Sequence, residues 1–180
     1  HGTQVPGPEL LRLVEELVLD ILEQLFHLLS FPHELALEIR DAESRANGSV
    51  LLIRDMRGQL QASVARSDDQ RLRASAERFI GDIGRLEAQL YQVRNQSPKD
   101  KIAFPIRLND RLTGLRSRLE RGDAAPTAAY RDVFEELSTE LDGHMLELQG
   151  LISDDLSRLN AELTRAGLPR VVARDLLVTD

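Results

Sequence analysis

Apolar residues recur at alternating intervals of three and four residues along four stretches of the chain. The longest such pattern is Tyr130, Phe134, Leu137, Leu141, Met145, Leu148, Ile152, Leu159 and Leu163, and a second is Leu35, Ile39, Ala42, Ala46, Val50, Ile53, Leu60 and Val64. This spacing places one apolar stripe on each α-helix, and helices bury such stripes by packing against one another. The pattern therefore predicts an all-α protein without β-sheet.

Helix-breaking residues divide these patterns into five predicted helices. Phe31-Pro32 disfavours helix continuation and predicts an end near Ser30, while Ser67 to Gln70 is typical of a turn with a capping box. Gly122 and Gly167 are suited to the ends of the last two helices. The helices are expected at about 8–30, 33–65, 68–96, 104–121 and 127–166.

Three long and two short helices predict an elongated up-and-down bundle with a four-helix cross-section. The short first and fourth helices would share one corner end to end. The predicted organisation is one folded unit with an apolar N-terminal helix at 1–32, a bundle at 33–169 and a C-terminal tail at 170–180.

The first helix is apolar around much of its circumference. One stripe contains Leu10, Val14, Leu17, Ile21 and Leu28, and the adjacent stripe contains Leu11, Val18, Leu22, Leu25 and Leu29. Either the helix is wedged among several neighbours, or one stripe is free to bind a partner. We expect wedging, which predicts that Leu17→Ala and Ile21→Ala each lower the midpoint of thermal unfolding.

Composition excludes several classes of partner. The chain has no Cys, so it forms no disulfides or thiolate metal sites, and its net charge of −7 argues against binding to nucleic acid. Acidic residues interrupt the apolar segment from Leu10 to Leu29, which argues against a membrane-spanning helix and predicts a soluble protein.

No arrangement of residues indicates catalysis or a cofactor. The pairs Glu23/His27 and Glu140/His144 are each spaced four residues apart, but di-metal bundles use a three-residue Glu-x-x-His spacing with further inward-facing Glu residues. Glycine-rich phosphate loops and zinc-binding His pairs are also missing from the sequence. We therefore expect a protein that is not an enzyme, with no cofactor, no metal and no small-molecule substrate.

Several segments together resemble a known family. They are Leu35–Asp41, Ile53–Leu60, Leu86–Gln92, Phe104–Asp110, Gly122–Thr127, Val133–Leu137 and Leu159-Asn160. From about Glu34 to Pro169 the chain resembles the C-terminal helical tail of large sortilin-like, Asp-box (BNR-repeat) β-propeller proteins classed as glycosyl hydrolases. In that family any chemistry belongs to the propellers, and this sequence has no Asp-box. The resemblance therefore implies a helical tail without catalytic residues.

The first 32 residues do not match this family, which suggests that an engineered helix was joined to a natural bundle. The expected function is that of a non-catalytic accessory or oligomerisation domain, or of a scaffold engineered from one. One alternative is an engineered binder that presents the first helix to a protein partner, and another is a glycan-associated fragment of a glycosyl hydrolase. The candidate protein-binding residues are Leu17, Ile21, Leu25, Leu28 and Leu29, of which the last three form a Leu-x-x-Leu-Leu pattern that suits docking into apolar grooves.

Overall fold

The computed structural model describes residues 8–91, 106–121 and 127–174, and within this part 87% of the residues are helical and no strand occurs. The α-helices are α1 (Pro8–Val64), α2 (Gln70–Leu90), α3 (Leu108–Glu120), α4 (Thr127–Gly150) and α5 (Ser157–Arg165). A π-helical segment, Leu151–Leu156, joins α4 to α5. The prediction of an all-α bundle with five helices is confirmed.

The helix boundaries differ from the prediction at Pro32. Proline in a helix interior removes one hydrogen bond and crowds the preceding turn, at a cost of about 3 kcal/mol. Even so, α1 continues through Pro32 as one helix of 57 residues. The expected end near Ser30 is therefore wrong, because the core holds α1 from Leu35 onward and this formed helix needs no new nucleation to continue across Pro32.

The bundle has three positions. One is taken by α1, the second by the rod that α4, the π-helical segment and α5 form together, and the third is shared by α3 and α2. The α4–α5 rod runs parallel to α1, with Arg131 paired to Glu38 and Asp142 paired to Arg45. The other two helices run antiparallel to α1 and lie end to end. Helix α3 packs beside the first half of the bundle and α2 beside the second half.

Along the described bundle, α1 and the α4–α5 rod pack with α3 in the first half and with α2 in the second half. The first part of α1 continues away from the bundle and does not fold back beside α3. Residue 9 and residues 12–25 are exposed, and the first fully buried side chain along the described part of α1 is Leu35.

The core contains the residues that the apolar stripes predict. Large buried side chains come from α1, α2, α3 and α4. The largest that are fully buried are Leu35, Ile39, Ile53, Met56, Leu60, Ile83, Leu86, Leu90, Leu108, Leu112, Leu137 and Leu141. Aliphatic side chains dominate, and Phe79 and Phe134 are the aromatic residues among the buried side chains described. Interdigitated aliphatic packing of this kind holds the three rods together.

Local hydrogen bonds define the helix ends. The N-cap of α2 is Asp69, whose carboxylate accepts hydrogen bonds from the backbone N–H groups of Arg71 and Leu72; the predicted cap, Ser67, accepts instead from the Asp69 N–H. At the end of α5, Gly167 has a positive φ of 71°, and Leu168 N–H donates to the Leu163 carbonyl. This is the Schellman arrangement expected of a glycine at that position.

The segment after α5 packs back on the bundle. The side-chain amide of Asn160 donates to the Val171 carbonyl (2.9 Å) and accepts from the Val171 N–H (2.8 Å). Gln59 makes the same pair of bonds with Val172 (2.9 and 2.8 Å). The Val171 side chain is buried. The first residues of the predicted C-terminal tail are therefore part of the folded unit.

Candidate interaction surface

The most unusual surface of the molecule is the N-terminal part of α1, residues 8–32, which we call the extension. At 1.5 Å per residue it is roughly 36 Å long. Eight large apolar side chains on it are between 46% and 65% exposed: Leu13, Val14, Leu17, Val18, Leu19, Ile21, Leu22 and Leu25. A contiguous apolar surface of this kind on a folded domain marks a contact site for another molecule.

Nine buried residues of α1 lie in one row that alternates strictly between spacings of four and three residues. They are Leu35, Ile39, Ala42, Ala46, Ser49, Ile53, Met56, Leu60 and Ser63, and we call this row the seam. The same alternation continues toward the N-terminus through Pro32 and Leu28 to Leu25, Ile21, Val18 and Val14. The exposed seam of the extension is therefore in phase with the buried seam of the bundle.

Helices α3 and α4 cover the seam from its two sides. On one flank Arg116 of α3 donates through Nε to Glu43 Oε2 (3.0 Å), and on the other flank Arg131 of α4 donates to Glu38. The corresponding flank positions in the extension are Leu22 and Leu17, which are apolar and exposed. The extension thus presents the surface that α1 uses inside the bundle, without the neighbouring helices.

Charged residues of the extension lie mainly on the face opposite the seam. Glu9, Glu16 and Glu23 repeat every seven residues on this face, with Arg12 and Asp20 beside them. A helix with one wide apolar face and one acidic face is only marginally stable by itself in water. Its apolar face stays hydrated until another surface covers it.

The predicted protein-binding residues fall on this surface where the structure describes them. Leu17, Ile21 and Leu25 are all exposed, and the side chains of Leu28 and Leu29 lie outside the described part. The expectation that the first helix is wedged among neighbours is wrong for the described side chains, because α1 extends past the end of α3. Val14 and Val18 belong to two separate stripes in the sequence pattern of the first helix, but the unbroken spacing from residue 14 to residue 63 joins them in one seam.

A buried charged cluster links α1 to α2. The Glu87 side chain is 3% exposed and accepts hydrogen bonds from Arg54 Nε (2.6 Å) and Arg57 Nη2 (2.5 Å). Burial acts to raise the pKa of Glu87, but the hydrogen bonds from Arg54 and Arg57 and their charges outweigh it and hold the pKa below its ordinary value of 4.5. The Arg54 guanidinium lies 5.5 Å from the centre of the Tyr91 ring. Both arginines donate to the Glu87 carboxylate, while the buried Nε of Arg57 has no hydrogen-bond partner. The paired charges fit a structural role better than a catalytic one.

An open cleft of about 210 Å³ lies between α2 and the rod around the π-helical segment. Its lining includes Asp82, Asp155 and Glu162 together with arginines. Asp82 pairs with Arg85, and Asp155 pairs with Arg158 of its own helix (2.5 Å). Two of the cleft's carboxylates are therefore neutralised by neighbours along the helix, and the cleft has the character of an ordinary ion-paired surface.

The residues considered as metal ligands are engaged in other contacts or separated. Glu140 Oε2 accepts from Arg111 Nη1 (2.6 Å), and His144 Nε2 lies 4.0 Å from Glu140 Oε1. Over residues 8–91, 106–121 and 127–174, no group of three or more His, Asp or Glu side chains is arranged to hold a metal ion. Within the same residues, no helix is long and apolar enough to cross a membrane.

Comparison with known proteins found no matching family model, no matching curated protein and no matching solved structure. The resemblance of residues 34–169 to the helical tail of sortilin-like β-propeller proteins therefore stays a prediction from the sequence.

Proposed function

We propose that this chain is a non-catalytic interaction domain, in which the bundle is a rigid base and the extension is the helix that contacts another protein. The observation that carries the proposal is the exposed apolar seam, which is in phase with the buried seam of the same helix. The proposal applies equally to a natural accessory or oligomerisation domain and to a scaffold engineered from one, because both would present the same surface.

The available hydrophobic free energy is of the same size as the cost of association. Full burial of a Leu, Ile or Val side chain contributes about 1.5–3 kcal/mol, so covering a half-exposed one contributes on the order of 1 kcal/mol. Val14, Val18, Ile21 and Leu25 with the two flank leucines would together contribute about 6 kcal/mol per helix. Two such helices in contact would reach about 12 kcal/mol, which is comparable with the estimated 4–15 kcal/mol cost of association.

The bundle supplies what a free helix lacks. An isolated helix of this size is marginally stable in water, because its first turn is costly to nucleate. In α1 the turns from Leu35 onward are held by the core, so the extension grows from a helix that is already formed. The domain can therefore present a long apolar helix with a defined direction.

Amide hydrogen exchange measured over a range of protein concentrations tests this proposal. At nanomolar concentration the extension should exchange much faster than residues 35–64, since no part of the bundle covers it. Protection of the extension should appear only when a binding protein or a higher protein concentration is supplied, while protection of the bundle stays constant. If the extension is as protected as the core of α1 at the lowest concentration, it is covered within one chain and the proposal is wrong.

A further inference from the structure

We infer that the extension binds the extension of a second copy of this chain, with the two helices packed antiparallel about a two-fold axis. This inference rests on the proposed function and names the partner that the exposed seam accepts. It follows from three features: the spacing of the seam residues, the placement of charge around the helix, and the side of α1 on which the bundle lies.

The seam of the extension is complementary to itself when reversed. Antiparallel pairing about the midpoint between Val18 and Ile21 places Val18 opposite Ile21 of the second copy and Val14 opposite Leu25 of the second copy. Every layer then combines one residue from each of the two alternating seam positions, which is the knobs-into-holes arrangement of antiparallel coiled coils. All four residues are about half exposed in the single chain.

Charge does not oppose this pairing. Acidic side chains on the face opposite the seam point away from the contact, so the two net-negative helices do not bring like charges together there. Along the flanks the extension carries Leu17, Leu22 and Gln24, which are uncharged, and one acid, Glu15. In the antiparallel arrangement Glu15 lies beside Leu22 of the second copy and not beside another acid. The acidic face would, by contrast, be repelled by an anionic lipid surface.

The position of the bundle selects the antiparallel direction. Helices α3 and α4 cover the seam of α1, so each bundle lies on the side of α1 that the seam faces. A parallel partner would have its own bundle on the facing side at the same level, and two bundles would occupy the same space. An antiparallel partner places its bundle beyond the opposite end of the extension, where no such overlap arises.

The end of α3 marks where the second copy's helix would begin. Leu119 and Glu120, at the C-terminus of α3, line a groove with Pro32 and His33 of α1, which is the level at which the extension leaves the bundle. The N-terminus of the second copy's extension would meet this level and continue in the direction of α3. Its partial positive charge would face the partial negative charge at the end of α3. The corner that α3 leaves open would thus be filled by another chain.

Cross-linking tests the direction directly, because the chain has no cysteine. Two single variants, Val14→Cys and Leu25→Cys, the second carrying a size tag, are oxidised separately and as a mixture. The mixture should give a disulfide-linked pair of unequal chains. The Val14→Cys sample alone should not cross-link, because its two cysteines would be about 16 Å apart along the helices, too far for a disulfide.

Analytical ultracentrifugation supplies the control for the seam. Wild-type protein should sediment as a dimer at micromolar concentration. Ile21→Asp should weaken the dimer by roughly 100-fold or more, since it would bury an unpaired carboxylate. Leu19→Asp, at an exposed apolar position off the seam, should leave the dimer intact. Circular dichroism should show the bundle folded in both variants.

The outcomes separate this inference from the proposed function. A wild-type protein that stays monomeric at all concentrations overturns the pairing of two copies, while the exchange experiment still decides whether the extension is available to another protein. Efficient cross-linking of Val14→Cys with itself overturns the antiparallel direction and leaves the interaction domain standing. Association that neither Ile21→Asp nor Leu19→Asp disturbs contradicts both.

Discussion

Glu87 provides the sharpest test of how the bundle is held together. Replacing it with alanine removes the carboxylate that accepts hydrogen bonds from both Arg54 and Arg57, and leaves two cations without that partner. Breaking a fully buried ion pair costs about 3–5 kcal/mol. Here the Arg54 side chain is 47% exposed and Arg57 is 27% exposed, so both can turn partly toward water and the loss should be smaller. We expect a loss of about 2–3 kcal/mol in the free energy of unfolding.

Urea unfolding followed by circular dichroism at 222 nm measures this loss, and the midpoint of thermal unfolding should fall by about 2–4 °C per kcal/mol for a chain of this length. Asp142→Ala is the matched control. Its ion pair with Arg45 has a similar distance, 2.6 Å, but both side chains are exposed. Exposed pairs contribute about 0–1 kcal/mol, so this variant should be close to the wild type.

The pH dependence gives the same cluster a second signature. Because the pKa of Glu87 is lower in the folded protein than in the unfolded chain, its charge stabilises the fold above the unfolded pKa. That contribution is lost as the pH falls through the folded pKa. The stability difference between the wild type and Glu87→Gln should therefore be constant from neutral pH down to about 5 and shrink below about 4.5. Equal losses for Glu87→Ala and Asp142→Ala, or a difference that persists in acid, would refute the reasoning.

Four further results are expected. Leu17→Ala should change the free energy of unfolding of the bundle by less than about 0.5 kcal/mol, whereas Leu141→Ala should cost about 2–5 kcal/mol. Chemical denaturation at a concentration where the protein is monomeric compares the two variants. A larger loss for Leu17→Ala than for Leu141→Ala would mean that the extension is buried. Asn160→Ala should cost about 1–3 kcal/mol and increase amide exchange in residues 170–172, because both hydrogen bonds to Val171 are lost. Gly143→Ala should stabilise the protein by about 0.4–1 kcal/mol, since nothing beyond the neighbouring helix backbone lies within 4 Å of the added methyl group, while Gly167→Ala should destabilise it because of the positive φ. Thermal unfolding of the two variants compares them, and equal shifts would contradict this account. Hydrolysis of chromogenic glycosides should not exceed the uncatalysed rate, and turnover that disappears with a single acid substitution would show that the domain is an enzyme.

The helical character of the chain and the apolar faces of its helices follow from the sequence alone. The alternation that contains Leu35, Ile39 and Ile53 identifies buried positions of α1, because helical periodicity is a local property of the chain. Gly167 could likewise be assigned as a helix end, since a positive φ is accessible to glycine at little cost. The N-cap of α2 does not follow from the sequence in the same way, because Ser67 and Asp69 are both good cap residues. The local backbone geometry decides between them.

The tertiary structure decided what covers each apolar face. Pro32 is a helix-ending signal by local rules, but α1 continues through it, because the bundle supplies a formed helix on one side of the proline. The sequence pattern does not tell whether the stripe at Leu17, Ile21 and Leu25 is buried within the chain. An apolar face that packs inside a chain has the same pattern as one that packs against another chain. The Glu87 cluster was equally invisible in the sequence, because its members lie about 30 residues apart and meet only when α1 and α2 pack together. Periodicity depends on the chain alone, whereas burial depends on which surfaces the fold brings together.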